Sequence, residues 1–494
     1  MKKYINKIWK LVSSYLKSRI IVLIITLLYT FFLLLLLLHR FWQFEAYFYD
    51  HGYLDISLWR VAHLQAPITE HLNLGVINIF ADHFYLSFYL LAPFYWLTDK
   101  YETTVILTAI LPSLSIPFAY EIAAKLIKRK YWIYALLFAY MFFIGLQNAL
   151  IFFLHPETIM ILPLMIFFWS IITDRKKLFY VLLFIILGFK ETVSALSFAT
   201  GLFLIFYKKT WRKHGLIVML ISVVYFFVVT KLIQPSFSPI GKYYYEPDWL
   251  LVLKESAHRF FVPFLKTKTL FFTFASFAFL PLIYLPFLPI ILQDFFLRFV
   301  LAPQESHRWD LGLAYSANLL VTLFVAACFA INFLQRKKLF QKISIFWASC
   351  LVTIVIILHA FVFRGPFGLL YNFDFYKHTK NLNFLREFIS KIPREGKIMT
   401  QNNLAVFFTH NDLVLIKSCA KVNQVKPDVI AFDLREGQSN NNFWPSTEKE
   451  LKNILASLRE SNSYDAIYDD GSKYIFKKVQ NSRVNLKCTK DESV

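Results

Sequence analysis

The sequence predicts a polytopic α-helical membrane protein carrying a small α/β domain at its C-terminal end. Three observations carry that prediction. The 494 residues are 57% hydrophobic and 19% aromatic, with 55 Phe and a mean hydropathy of +0.49. Long apolar segments recur along the chain from Ile20–Leu38 onward, many of them near the roughly 20 residues that a helix needs to cross a bilayer. After Arg364 the composition changes to short β-patterned runs separated by turn residues. A soluble chain of this length would form two or three domains with a far more polar surface.

The net charge of +21 reads as topology rather than as a nucleic-acid surface, because the basic residues cluster in short loops between apolar segments. Lys2, Lys3, Lys7, Lys10, Lys17 and Arg19 precede the first apolar segment with no acidic residue among them, which predicts a cytoplasmic N-terminus and an uncleaved first helix, 20–38. Loop 39–83 holds Glu45, Asp50, Asp55, Glu70 and Asp82 against Arg40 and Arg60, and is expected outside. Residues 84–97 are apolar but too short to span, so they are expected to be re-entrant, interfacial or a tilted short helix.

Segments 103–120, 131–154 and 157–173 then alternate between Lys125–Lys130 inside, His155-Pro156-Glu157 outside and Asp174–Lys177 inside. Residues 178–207 read as two short helices meeting at Lys190-Glu191, followed by 214–234 and a Tyr-rich outer loop, 235–260. Pro281, Pro286 and Pro289 break the run within 261–312, which predicts half-helices in place of one rod. Segments 313–334 and 343–363 complete about eleven crossings and deliver the tail outside.

Within that tail, strands are expected at Lys397–Gln401, Asp412–Ile416, Asp428–Leu434, Tyr464–Asp470 and Lys473–Val479, with a helix at Thr447–Leu458 and a surface turn at Asn440–Asn442. The expected division is therefore 1–363, transmembrane, and 364–494, extracytoplasmic. Of the four cysteines, Cys328 and Cys350 fit apolar packing; Cys419 and Cys488 have the option of pairing in an extracytoplasmic tail, which spacing alone leaves open.

This topology sets Asp50, Asp55, Asp82-His83, His155-Pro156-Glu157 and Lys190-Glu191 on one face of the membrane. Ionisable groups beside apolar segments are costly, and so are functional candidates by default. Each also has a plain structural reading. Asp50 and Asp55 fit solvated loop acids, and Asp82 fits a helix cap. Pro156 and Glu157 fit a helix start, and Lys190 with Glu191 fits a self-neutralising pair. No phosphate-cradling glycine loop, Gly-x-Ser-x-Gly elbow, His-Glu-x-x-His or Cys-x-x-Cys is present, and 13 glycines leave little room for a nucleotide-gripping loop.

Asp50-His-Gly-Tyr-Leu-Asp-Ile-Ser-Leu-Trp59 resembles the Asp-Leu-Gly-Ile-Phe-Asp-Gln-x-Leu-Trp signature of an uncharacterised prokaryotic membrane family, domain of unknown function 2079. Asp82-His83-Phe84 with Pro93, then His155-Pro156-Glu157 and Lys190-Glu191, resemble its later motifs in order, and the tail from Ile392-Pro393 through His410 to Asp428–Leu434 is similar to its closing region. The chain departs from the pattern at Ile56, where the family has Gln, at Gln65-Ala66-Pro67, where a Gly is missing, and at Ala314-Tyr315, where the family has His-Tyr.

The family in turn is similar to the GT-C glycosyltransferases, a fold-level analogy. It implies a GT-C-like membrane domain, a polyprenyl-phosphate sugar donor, a first-loop Asp acting as base or metal ligand, and transfer of the sugar to an extracytoplasmic acceptor at the cell membrane. On that reading Asp50, with Asp55 second, takes the acceptor's proton, and His83, His155 and Lys190 face the leaving phosphate. Glu157 and Asp82 orient these groups or help to bind a divalent cation, Mg or Mn, and Glu191 is expected among the substrate-binding residues. A transporter or flippase of a lipid-linked intermediate and a non-catalytic scaffold are the rival classes.

Overall fold

The computed structural model describes the backbone of residues 2–488 and the side chains of residues 18–488. The basic side chains before Ser18, on which the expected N-terminal orientation rests, and the last stretch of the expected tail, 489–494, lie outside the described residues.

Among the described residues, six helices are long and apolar enough to cross a membrane: Ser18–Trp42, Glu102–Leu126, Lys130–Leu150, Lys209–Phe237, Ala314–Leu334 and Lys338–Val362. Three more apolar helices are shorter, at Phe88–Leu97, Pro156–Ile172 and Val193–Tyr207. The difference from the eleven expected crossings has a local cause: the remaining apolar sequence is broken into pieces. Pro93 separates two single turns, Phe88–Leu91 and Phe94–Leu97, so 84–97 forms no long helix. Lys176–Leu187 and Val193–Tyr207 stop on either side of Lys190-Glu191, as the sequence predicts. Between 261 and 312, Ala278 and Phe279 take positive φ, and helices Leu265–Ala275 and Leu288–Phe295 stay short beside Pro281, Pro286 and Pro289.

The described residues divide into two compact units: unit 1 holds residues 2–37, 80–87 and 106–371, and unit 2 holds 38–79, 88–105 and 372–488. In unit 1, helix Ala317–Leu334 is apolar on all sides, and the residues from Leu319 to Ile331 are buried. It packs against Ile116–Leu126, Lys130–Met141, Ile161–Ile172 and Leu288–Phe295. A helix hydrophobic all round needs such an enclosure. Helices Lys209–Phe237 and Lys338–Val362 instead expose Leu216, Leu220, Phe227, Ile345 and Phe346, as suits lipid contact. Val193–Tyr207 and Arg212–Val228 approach closely at two glycines: a Cβ on Gly201 would stand 2.7 Å from the Gly215 carbonyl oxygen, and one on Gly215 would stand 2.5 Å from that of Gly201. Small residues allow this contact between helices that lack a hydrophobic driving force in lipid.

In unit 2, β1 (Ile68–His71) and β2 (Gly75–Asn78) form an antiparallel hairpin. Five strands, β3 (Lys397–Thr400), β4 (Asp412–Leu415), β5 (Val429–Asp433), β6 (Tyr464–Asp469) and β7 (Lys473–Lys478), make one sheet in the order β4-β3-β5-β7-β6. The pairs β3–β4 and β3–β5 are parallel, and β7 pairs antiparallel with both β5 and β6. All five lie within about a residue of their expected bounds. Helix Glu448–Arg459 starts on a capping box between Thr447 and Glu450 and buries Leu451, Ile454, Leu455 and Leu458 in a core with Met399, Ile430, Phe432 and Phe476. A disulfide joins Cys419 to Cys488.

Candidate functional site: two polar networks, one in each unit

The unit 1 network starts with two ionisable pairs set at helix breaks. Lys190 and Glu191 occupy the gap before Val193, and Glu157 lies in the first turn begun by Pro156. Lys190 and Glu191 do not neutralise each other. The Lys190 ammonium donates to Glu157 Oε1 at 3.0 Å, whereas Glu191 Oε1 meets His83 Nδ1 at 2.8 Å and accepts from the Tyr243 hydroxyl at 2.9 Å. The second Glu191 oxygen accepts from the Phe84 amide at 3.3 Å. His155 Nδ1 stands 2.5 Å from Glu157 Oε2, an ion-pair contact.

Asp82 does not cap a helix: it accepts from the Tyr245 hydroxyl at 2.6 Å, and its backbone carbonyl accepts from Gln234 Nε2 at 3.2 Å. His83 stacks on the Tyr245 ring, with centroids 4.5 Å apart and planes within 5°. Burial, then the Asp82 charge, push the Tyr245 phenol well above its ordinary range, so it remains a donor. The guanidinium of Arg308 lies 5.3 Å from the Tyr245 ring and 5.0 Å from the Tyr315 ring, and the Lys190 ammonium lies 5.9 Å from Tyr315. The ring of His155 meets Tyr315 edge-on at 5.5 Å.

The chain of contacts runs from Asp82 through His83, Glu191, Lys190, Glu157, His155, Tyr315, Arg308 and Tyr245 back to Asp82. Six sequence-selected residues, Asp82, His83, His155, Glu157, Lys190 and Glu191, thus meet in one network. Arg308, Tyr243 and Tyr245 escaped the sequence reading; a signal for them existed in the aromatic run Tyr243-Tyr244-Tyr245 and in the isolated Arg308 of a Pro-broken apolar region.

The unit 2 network is built around Asp55. A π-helical turn, Phe48–Gly52, carries Asp50 and runs into helix Tyr53–Ala62, whose first turn holds Asp55. The Phe48 amide donates to Asn402 Oδ1 at 2.8 Å, which ties the turn down. Asp55 is 0% exposed. Its Oδ1 accepts from the Tyr95 hydroxyl and, at 2.6 Å, from Thr104; its Oδ2 accepts from Thr409 at 2.6 Å. His410 Nε2 stands 3.8 Å from the same carboxylate, and His410 stacks on Trp59 with centroids 5.1 Å apart. Trp59 Nε1 donates to Asp99 Oδ1 at 2.8 Å. Asp50, by contrast, is half-buried.

Three hydroxyls already take the lone pairs of Asp55, which suits a carboxylate that holds its neighbours in place; Asp50 has the better access. Glu70, another acid of loop 39–83, is buried beside Lys417 Nζ at 3.1 Å and accepts from the Leu415 amide at 3.0 Å.

Among the described residues no group of three His, Cys, Asp or Glu side chains is placed to hold a metal ion. Around Asp82, Glu157 and Glu191 the neighbours are Tyr hydroxyls, imidazoles, an amide and an ammonium, all of them donors or cations. A hard divalent cation needs several uncommitted oxygen ligands, so this set does not fit Mg or Mn.

Apolar spans, buried ionisable networks at helix breaks and a small sheet domain together define a multi-pass membrane protein. A family model described as "Predicted membrane protein (DUF2079)" matches residues 40–472. The chain belongs to that family, and the match takes in both networks. No curated protein matches the chain.

Proposed function

We propose that the protein is a GT-C-like glycosyltransferase, which moves a sugar from a polyprenyl-phosphate donor to an extracytoplasmic acceptor. The observation that carries this reading is the unit 1 network, in which buried Lys190 and His83 and half-buried Arg308 and His155 stand among carboxylates and phenols. Positioned cations and donors of this kind suit a phosphate whose negative charge grows as the glycosidic bond breaks. In the proposed step the acceptor hydroxyl oxygen bonds to the anomeric carbon and the carbon–oxygen bond to phosphate breaks. The polyprenyl phosphate leaves with the bonding electron pair. Within unit 2, the half-buried Asp50 is the carboxylate proposed to take the acceptor's proton. Asp55 keeps Tyr95, Thr104 and Thr409 in register.

Glu157 and Glu191 hold Lys190, His155 and His83 in position. Charge already paired in the resting protein is pre-arranged and needs little reorganisation during reaction. No divalent cation takes part in these steps. The Cys419–Cys488 disulfide supports an oxidising surrounding for the tail, hence an extracytoplasmic C-terminal region.

The experiment is reconstitution of the full chain in liposomes with a panel of radiolabelled polyprenyl-phosphate sugars. Consumption of at least one donor, persisting in EDTA, is the expected result. An intact panel, with lipid-linked substrate moved across the bilayer instead, would favour a transporter or flippase; neither result would favour a scaffold.

A further inference from the structure

We infer that Arg308, set against the rings of Tyr245 and Tyr315, is the anchor for the phosphate of a phosphorylated lipid in unit 1. The inference deepens the transferase reading, and it names a residue and a headgroup chemistry outside the motifs that first pointed to the site.

Lys190 is the cation that the sequence singles out for phosphate, yet its ammonium is already committed to Glu157 at 3.0 Å. Arg308 differs. Its guanidinium forms no ion pair with a carboxylate within 4.0 Å among the described residues; it shares one side-chain hydrogen bond with Tyr245, with the Asp82 charge farther off, and is held by two aromatic faces at 5.3 and 5.0 Å. Stacking on tyrosine fixes the plane of a guanidinium and leaves its edge of N–H donors available. Such an edge matches the oxygens of a phosphate two at a time.

The surroundings supply what an anion needs. Lys190 and Arg308 share Tyr315 as a neighbour and repel each other, a cost that an anion near both would relieve. The three carboxylates of the network do not oppose this, since Asp82, Glu157 and Glu191 are each covered by a donor or cation of their own. Arg308 belongs to a loop between Leu301 and Ala314 rather than to a spanning helix, where a headgroup can be reached while its tail stays in lipid.

The test is binding by the full chain in detergent, measured calorimetrically with farnesyl phosphate, farnesol and inorganic phosphate. Farnesyl phosphate is expected to bind and farnesol to bind much more weakly. Inorganic phosphate distinguishes a free anion from a lipid headgroup: competition by it at millimolar concentration assigns the site to phosphate as such, and failure to compete assigns it to the lipid-linked form. Arg308→Gln is expected to weaken farnesyl phosphate by about 10–100-fold, the worth of a charged hydrogen-bond pair. Arg308→Lys, which keeps the charge without the fork, is expected to fall between and covers the case in which Arg308→Gln fails to fold.

Unchanged affinity in a folded Arg308→Gln or Arg308→Lys variant would overturn the assignment, as would equal binding of farnesol and farnesyl phosphate by the wild type. The transferase reading fails separately. A wild type that binds farnesyl phosphate through Arg308 but turns over no sugar donor would keep the anchor and discard the transfer.

Discussion

Lys190 pairs with Glu157 across 33 positions of sequence rather than with its neighbour Glu191, and both members of the pair are buried. Glu191 is thereby released to meet His83 and Tyr243. An ionisable dipeptide that looks self-contained in the sequence is thus linked to separate partners, and that exchange of partners creates the network.

Removing one member of this pair leaves the other charge buried and alone. Lys190→Met and Glu157→Gln are each expected to cost about 3–5 kcal/mol, and the double Lys190→Met, Glu157→Met variant less than the sum of the singles. Thermal unfolding in detergent measures this; additive losses would show that the two groups do not interact.

The two acids of the first-loop motif are expected to separate in their effects. Asp55→Ala leaves the Tyr95, Thr104 and Thr409 hydroxyls without their acceptor and should lower stability by roughly 1–3 kcal/mol or more. Asp50→Asn, at a half-buried site, should cost less stability than Asp55→Ala. Equal melting temperatures for all three proteins would remove the positioning role from Asp55.

Unit 2 is expected to lose stability in mild acid. Burial lowers the pKa of His410 below its ordinary value of 6.5, partly offset by Asp55 and Asp99 and reinforced by His63 and Arg394; burial likewise lowers that of His51, partly offset by Asp55. The unfolded chain therefore binds these protons more readily than the folded one. The stabilisation is present above about pH 6.5 and is lost as pH falls below it toward the folded values. His410→Gln should flatten the decline between pH 7 and 5, as followed by thermal melts; a steeper decline would contradict the sign.

The glycine contact between Val193–Tyr207 and Arg212–Val228 admits no Cβ without movement. Gly215→Leu should force the helices apart and lower the melting temperature more than Gly368→Ala, an exposed glycine without a positive φ and with nothing within 4 Å. A smaller loss at Gly215 would argue against the close packing.

Much of this organisation is legible in the sequence because it is local. Alternating apolar residues and turn signals mark all five strands of the C-terminal sheet, and Thr447 with Glu450 marks the start of its helix. Lys190-Glu191 and Pro93 interrupt apolar runs, and each falls at a break between helices. What is not legible is long-range. No spacing rule joins Tyr245 to Asp82 or Arg308 to Tyr315, since those contacts exist only after the helices pack. Burial is hidden for the same reason: Asp50 and Asp55 look alike five residues apart, yet hydroxyls from two distant segments, at Thr104 and Thr409, enclose only Asp55. Segment counting fails where proline and paired charges divide apolar sequence into short helices.

The most direct measurement compares wild type with Asp50→Asn in proteoliposomes supplied with radiolabelled polyprenyl-phosphate sugars, after confirming that both melt at the same temperature. The account predicts donor turnover by the wild type and its loss, by two orders of magnitude or more, in the variant, as expected for removing a general base. Turnover that survives Asp50→Asn, or a wild type that consumes no donor in the panel, would contradict it.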